Sequence, residues 1–588
     1  MKFLDKINSP TDLKKLSVDE LKVLADEVRY AVLNKVSHVG GHIGPNLGAV
    51  ELTIALHYVF NSPHDKIVFD VSHQSYPHKI LTGRKHAYLD AQHFKDISGF
   101  TNPKESEHDF FTIGHTSTSI SLACGLAKAR DLCGGHENII AIIGDGSLSG
   151  GEAFEGMNNA VEAGTNLIII VNDNEMSIGE NSGGLYRNLK QLRDTNGKSE
   201  NNLFKAIGFD YLYIEDGHNL KELISVFNTI KDIQTPLVVH VHTTKGKGFA
   251  PAEAKKEVYH AGGPFDIKTG EWKIQMKENY SSITAKFLRS KIKEDKSIAV
   301  ITSGTPIITG FLIEERKALG KQFIDVGICE EHAVSFASGM AKNGGKPVYC
   351  VASSFIQRTY DQLSQDLCLN KNPAVIIVFG SGLNGFKDET HLGRFDIPLM
   401  SNIPNLVYLA PTCKNEYLAM LDWSLTQREH PVAIRVPGFF DAEELCQETE
   451  PVLSDFSNIN TYEITEQGSE IALIALGAFY RLGTEVKEKL KTELNVNATL
   501  INPRFISGID EECLTKLLKN HKLVVTLEDG QLDGGFGEKI SRFYSALPIK
   551  VLNFGGKKEF KTMANINELL EHYHLTSDLI TQDIKKVL

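Results

Sequence analysis

A chain of 588 residues exceeds what one hydrophobic core sustains, about 250–300 residues, and points to three or four domains. Its 41% hydrophobic and 23% charged composition is that of a globular α/β enzyme and excludes disordered, collagenous and coiled-coil classes. With 62 basic against 74 acidic residues the net charge is −12. Nucleic acid and anionic membranes are therefore not expected partners, and any anionic ligand must be held by local devices.

The N-terminus, MKFLDKINSPTDLKKLS, has no apolar core of a signal segment, and no run of about 18 apolar residues follows. None of the eight cysteines forms a C-x-x-C pair, as expected of free thiols in a reducing cytoplasm. Continuous apolar runs then recur in three series. The first is Lys66–Val71, Ile139–Ile143, Leu167–Val171 and Leu237–Val241. The second is Ser297–Thr302, Pro347–Val351, Ala374–Phe379 and Asn405–Leu409. The third is Ile471–Leu476, Ala498–Ile501, Leu523–Leu527 and Ile549–Leu552. Such runs, alternating with helical patterns, predict parallel strands covered on both faces and three α/β layers. Polar stretches near 270–285 and 440–465 are the expected linkers. Residues 179–202, polar and weakly patterned, read as a mobile loop.

The most specific motif is Gly144-Asp145-Gly146 at the end of the second run, with Asn174 29 residues after Asp145 at the end of the third. The intervening GGEAFEGMNNAVEAG reads as one amphipathic helix. A right-handed strand–helix–strand crossover brings both strand ends to one rim, a usual ligand position in open α/β sheets. Asp145, Asn174 and a backbone carbonyl, assigned to Met176, offer three hard oxygens to Mg²⁺, which completes its octahedron with diphosphate oxygens and water. A Gly-Asp-Gly needed only for turn geometry is the plainer alternative.

Here the chain resembles the thiamine-diphosphate enzymes, and over nearly its whole length the 1-deoxy-D-xylulose-5-phosphate synthase family within the transketolase superfamily. The likeness rests on Gly40-Gly41-His42, DVSHQSYPHKILTGR (70–84), GHTSTSIS (114–121), TTKGKGFAPAE (243–253) and YHAGGPFD (259–266). It continues in EEHAVSFASGMA (330–341), SSFIQRTYDQ (353–362) and VVTLEDGQLDGGFG (524–537). The segment after Met176 is shorter than the family's by roughly thirty residues.

The resemblance implies a transketolase-like fold of three α/β domains. These are a diphosphate-binding domain at 1–275, a pyrimidine-binding domain at 285–445 and a C-terminal domain at 462–588, in a cytoplasmic homodimer. It implies thiamine diphosphate and Mg²⁺ as cofactors, a 2-keto acid such as pyruvate as donor and an aldehyde as acceptor. Glu330 then matches the glutamate that exchanges a proton with the cofactor's aminopyrimidine, and Phe355 the aromatic stacked on that ring. His42, His260 and His391 are expected to face substrate, and His73 and His115 the cofactor. Gly114, Thr116, Ser117, Gly144, Gly146, Ser147, Lys245 and Arg358 complete the expected cofactor site.

The pattern breaks in one place. Gly380 and Gly438 stand where the family carries two arginines on the acceptor's phosphate, Ala352 replaces a tyrosine, and Lys387 replaces an acid. Two charge-assisted clamps would be lost, so either Arg358, Lys387 or Arg394 rebuilds the site or the acceptor is not glyceraldehyde 3-phosphate. Transketolase-like two-carbon transfer to another aldehyde, and a non-catalytic cofactor-binding regulator, are the alternatives. No G-x-G-x-x-G follows the first strand, against a dinucleotide enzyme.

Overall fold

The computed structural model describes the chain except residues 275–276, 384–387, 439–452 and 564. It divides into two compact units: residues 1–276 with 327–329, and residues 277–326 with 330–588.

The first unit is built on a five-stranded sheet of β1 (Lys66–Phe69), β2 (Ile139–Gly144), β3 (Ile168–Asp173), β4 (Asp210–Ile214) and β5 (Leu237–His242). The strands lie in the order β1-β2-β3-β5-β4 and all pairs are parallel. The continuous apolar runs have a simple cause: alternate side chains enter two different cores. Ile140, Ile142, Ile168, Ile170 and Val239 join one cluster, with residues of the helices Val18–Val39, Val50–Val59 and Leu220–Ile230. Ile139, Ala141, Ile143, Ile169 and Val238 join the other, with residues of Ser119–Leu132 and Gly151–Glu162.

The connections, more than the sheet, place the chemistry. Helix Gly151–Glu162 is the expected crossover between β2 and β3, and the ladder ends on Gly144 opposite Asn172. Helix Val18–Val39 stops at Gly40, whose φ of 77° ends it; a Cβ there would lie 2.5 Å from the Gly262 carbonyl oxygen. The chain then forms a two-residue antiparallel ribbon, Gly41–His42 against Ala261–Gly262, which carries His42 to the neighbourhood of His260.

The second unit holds two sheets. One consists of β6 (Ile298–Thr302), β7 (Phe323–Asp325), β8 (Lys346–Ala352), β9 (Val375–Ser381), β10 (Val407–Leu409) and β11 (Val432–Pro437), ordered β10-β11-β9-β8-β6-β7. The other consists of β12 (Glu463–Glu466), β13 (Glu470–Ala475), β14 (Thr499–Asn502), β15 (His521–Gln531) and β16 (Lys550–Gly556), ordered β12-β14-β13-β15-β16. Only β12 is antiparallel among the pairs of these two sheets. The two sheets share one apolar cluster, in which Ile376 and Tyr408 meet Ile474, Ile501 and Val524.

All twelve predicted strands are present, and the mixed α/β architecture with parallel sheets is as the sequence implies. Four further strands went unread: β4, β7 and β12, each a sheet edge, and the buried interior strand β11. Exposed or half-exposed strands such as DYLYI, FID and EITE carry no apolar run. The 179–202 reading is corrected: Gly184–Asp194 is an α-helix. Leu185, Leu189 and Leu192 lie on one helical face, and Leu189 and Leu192 are buried in the second core of the first unit. The polar remainder of the segment masked that stripe. No helix among the described residues is long and apolar enough to cross a membrane.

Removing the anchor of this helix should open it locally. Leu192→Ala is expected to cost about 2–4 kcal/mol at this fully buried site. Hydrogen exchange would then show amides 188–194 losing protection while β2 and β3 keep theirs.

Candidate active site

At the rim of the first unit, Asp145 is 1% exposed and its Oδ2 accepts a hydrogen bond of 2.7 Å from the Asn181 amide. Burial, then the charge of Asp173, holds the Asp145 carboxyl well above the usual carboxylate range, although Lys245 acts in the opposite direction. Around it, Asn174 Oδ1, Ser177 Oγ and Asn181 Oδ1 are buried without a hydrogen-bond partner. Met176 is bridged to Glu180 in an isolated antiparallel pair. Unsatisfied buried oxygens beside a buried carboxyl suit a divalent cation, which would neutralise Asp145 and take Asn174 Oδ1 as a ligand. Among the described residues no three His, Cys, Asp or Glu side chains gather into a metal cluster. A carboxylate with amide oxygens is the kind of hard donor set that Mg²⁺ takes.

The glycine- and hydroxyl-rich loop 114–118 lies against this turn. The Ser117 and Ser119 amides donate to the buried Asp70 carboxylate at 2.9 and 3.0 Å, and Ser117 Oγ donates to the Ser147 carbonyl at 2.8 Å. Ser117 therefore fastens the loop to the Gly-Asp-Gly turn, and its hydroxyl is not the free phosphate donor that the sequence suggests. Gly150 permits the approach, since a Cβ there would sit 2.1 Å from Ser117 Oγ. Backbone strain concentrates here: Val71, Ser72 and Ser117 have φ of 57°, 63° and 73°, a costly conformation for a β-branched valine. The first two turn the chain into His73.

His42, His73 and His260 form one cluster, with ring centroids 5.1, 5.7 and 5.3 Å apart, and Phe100 lies 5.7 Å from His42. Asn46 ties the cluster's backbone, donating to the carbonyls of His42 and His73 at 2.9 and 2.7 Å. Lys245 Nζ donates to the Ser177 carbonyl at 2.5 Å and lies 3.1 Å from His260 Nδ1, linking the histidines to the segment that follows Asn174. Burial, then the Lys245 charge, pushes His42 down to about 4 and His260 well below its usual value, so both rings are neutral at pH 7. Burial pushes Lys245 itself down to about 7, with Asp145 opposing the shift.

In the second unit, Glu330 opens the helix Glu330–Lys342 and is 2% exposed. Its Oε2 has no hydrogen-bond partner, and Arg358 Nη1 stands 3.9 Å away. Burial pushes the carboxyl up to about 7 despite the Arg358 charge. Its neighbour Glu331 is only partly buried, so the two adjacent acids differ in setting. Phe355 and His391 meet edge-on with ring centroids 5.6 Å apart, and His391 Nδ1 is 2.9 Å from Thr390 Oγ1.

The expected acceptor region is a set of committed charges. Arg435 is buried between Asp396, at 2.6 Å, and Asp529, at 2.5 Å. Arg394, 1% exposed, donates to the Tyr573 hydroxyl at 2.9 Å and to the Glu559 carbonyl. Arg394 is thus engaged within the second unit. Gly380 has φ of 67°, a conformation that an arginine in its place would adopt only under strain. Lys387 lies outside the described residues. Asp70, Asn46, Phe100, Ser177 and Asn181 belong to the site but escaped the sequence reading; Asp70 alone had a signal, as first residue of the 70–84 motif.

Comparison with known proteins gives the family. Residues 277–438 match the family described as transketolase, pyrimidine binding domain, and residues 460–580 the transketolase C-terminal domain. Residues 4–201 and 195–243 match 1-deoxy-D-xylulose-5-phosphate synthase in two pieces, the alignment breaking just after helix Gly184–Asp194. The synthase of Alkaliphilus oremlandii is 40% identical across 100% of this chain and 99% of its own length. That of Clostridium tetani is 38% identical across 100% and 99%. The solved transketolase of Campylobacter jejuni is 17% identical over 97% of this chain and 100% of its own, with a TM-score of 0.44. The chain has the domain families of the transketolase superfamily. Within it, the chain belongs to the 1-deoxy-D-xylulose-5-phosphate synthase family.

The raised Glu330 carboxyl has a measurable consequence. The folded protein holds this proton while an unfolded glutamate loses it near pH 4.5, so the group costs stability progressively as pH rises from about 4.5 to about 7. Glu330→Gln removes that cost. It should leave Tm unchanged at pH 4.5 and raise stability by about 3 kcal/mol at pH 8. Thermal unfolding at the two pH values checks it.

Proposed function

We propose that this chain is a thiamine-diphosphate- and Mg²⁺-dependent carboligase. It takes a two-carbon unit from a 2-keto acid such as pyruvate, with release of CO₂, and joins it to an aldehyde. The observation that carries the reading is Glu330: a fully buried carboxyl with an unpartnered oxygen and a pKa near neutrality, in a chain that is 40% identical to named synthases. Ion-paired structural acids have no need of such a setting.

Asp145, Asn174 and the Met176 carbonyl would hold the metal, and the metal with Gly114, Thr116 and the Gly144–Ser147 turn would hold the diphosphate. Bound thiamine diphosphate supplies a thiazolium carbon that serves as nucleophile and electron sink. Glu330, near its own pKa at neutral pH, exchanges a proton with the aminopyrimidine ring, and Phe355 packs against that ring. His42, His73 and His260, the first and last of them neutral, would donate hydrogen bonds to, and move protons at, the carbonyl oxygens of donor and acceptor. In this reading His391 also serves substrate and His115 the cofactor, a role carried only by their resemblance to the family's motifs. Lys245, buried between His260 and the metal-binding rim, contributes positive charge toward the diphosphate. Arg358 moderates Glu330. A homodimer in the cytoplasm belongs to this reading, and the seven described cysteines, all free thiols, are in keeping with a reducing compartment.

A specific observation shapes the acceptor. With Arg435 neutralised by two aspartates, Arg394 occupied by Tyr573 and Glu559, and glycines at 380 and 438, the described acceptor region offers no uncommitted arginine in the family's positions. We therefore read the acceptor as an aldehyde that carries no phosphate.

Two measurements test this. Glu330→Gln should lower kcat for CO₂ release from pyruvate by about 10²–10⁴-fold. In a steady-state screen with pyruvate, an unphosphorylated aldehyde should reach a kcat/KM at least equal to that of glyceraldehyde 3-phosphate. Efficient use of glyceraldehyde 3-phosphate with micromolar KM would contradict the acceptor reading and leave the carboligase reading standing.

A further inference from the structure

The segment 179–196 follows the strand end that carries Asn174. Its helix Gly184–Asp194 is packed by Leu189 and Leu192 on the same core that lies behind β2 and β3. Its polar contacts with the rest of the unit go largely to the rim of those two strands. Asn181 Nδ2 donates to Asp145 Oδ2 at 2.7 Å, and the Tyr186 hydroxyl donates to the Gly146 carbonyl at 3.3 Å. Arg193 donates to Asp173 Oδ2 and stands 3.4 Å from Glu175.

Asp173 closes the arrangement. It is fully buried, and His240 Nε2 donates to it at 2.8 Å while the Tyr211 hydroxyl lies 2.9 Å from His240 Nδ1. Arg193, with only 11% of its side chain exposed, supplies the remaining charge. The far end of the helix is thus latched to the sheet through a buried ion pair. Its near end, after a turn at Gly183 with φ of 126°, presents Asn181 to Asp145.

We propose that Asn181 is a positioning residue for Asp145, and that the Arg193–Asp173 latch holds it in place. An amide on Oδ2 fixes the rotation of the carboxylate and leaves Oδ1 as the oxygen for a divalent cation. Asn181 Oδ1, buried and unpartnered like Asn174 Oδ1 and Ser177 Oγ, adds a further polar atom beside the same space. The inference rests on the reading of Asp145 as a metal ligand and deepens it: in this chain the metal–diphosphate site is completed by the strap that follows β3.

The test is calorimetric titration of Mg²⁺ into the full-length protein with thiamine diphosphate present, alongside limited trypsin digestion at Arg187 and Lys190. Asn181→Ala should raise the Mg²⁺ Kd by about tenfold, the lower end of what outer partners of metal ligands contribute, with trypsin resistance of the strap unchanged. Arg193→Ala should raise the Kd comparably and speed cleavage at Arg187 and Lys190. Arg193→Lys, keeping the charge but losing the fork, should fall between. An Mg²⁺ Kd for Asn181→Ala within twofold of wild type would overturn the role of Asn181. Faster cleavage in Arg193→Ala with unchanged Mg²⁺ affinity would overturn the latch. If the wild-type protein itself bound no Mg²⁺ with thiamine diphosphate, the metal reading of Asp145 would fall, and this inference with it.

Discussion

The structure turns on how it treats buried acids. Asp109 is met by Arg84 and His78, Asp173 by Arg193 and His240, Glu51 by Arg29 and His218, Glu416 by Arg504, and Asp396 and Asp529 by Arg435. Asp70 and Glu528 instead accept two backbone amides each. Burying a carboxylate is costly unless a cation or several donors meet it, and this fold meets it repeatedly. Asp145 and Glu330 are the exceptions that matter. Asp145 receives a side-chain amide and Glu330 a guanidinium only at 3.9 Å; burial pushes both carboxyl groups upward, as it does those of Asp70, Glu528 and Asp529, so it is the missing close partner that sets these two apart. A chain that pairs its structural acids so consistently leaves these two for a ligand.

The surrounding architecture serves those two groups. The crossover between β2 and β3 sets Asp145 beside Asn174, the short ribbon at Gly41–His42 brings two histidines together, and Lys245 joins the histidines to the rim. The left-handed Val71, Ser72 and Ser117 lie among the matched motifs, where strain is tolerated because hydrogen bonds such as Ser72 Oγ to the Ile113 carbonyl, at 2.6 Å, over-determine the backbone. In the function proposed, neutral histidines beside a low-pKa lysine would bind an anion with few formal charges. This answers the problem that a net charge of −12 poses for a phosphorylated cofactor.

Much of this was legible in the sequence because its causes are local. Strands with two buried faces announce themselves as apolar runs, and Asp145 and Asn174 fall at the ends of two of them. What was not legible depends on partners distant in sequence. Edge strands such as Glu463–Glu466 have no buried face to reveal them, and the 184–194 helix hid a three-leucine stripe among polar residues. Ser117 looked like a phosphate donor until its hydroxyl was seen to bond Ser147, 30 residues away. Arg394 looked available until Tyr573 and Glu559 were found to occupy it. A sequence shows which charges exist, and only the fold shows which are already spent.

In the function proposed, Asp145 has no cation in hydrogen-bond contact among the described residues because a metal–diphosphate ligand supplies one. The most direct test of this is calorimetric titration of thiamine diphosphate into wild-type protein and Asp145→Asn, each with and without Mg²⁺. The account predicts wild-type binding that depends on Mg²⁺, and loss of that dependence in Asp145→Asn together with at least a tenfold weaker Kd. Equal affinity and equal Mg²⁺ dependence in the two proteins would contradict it.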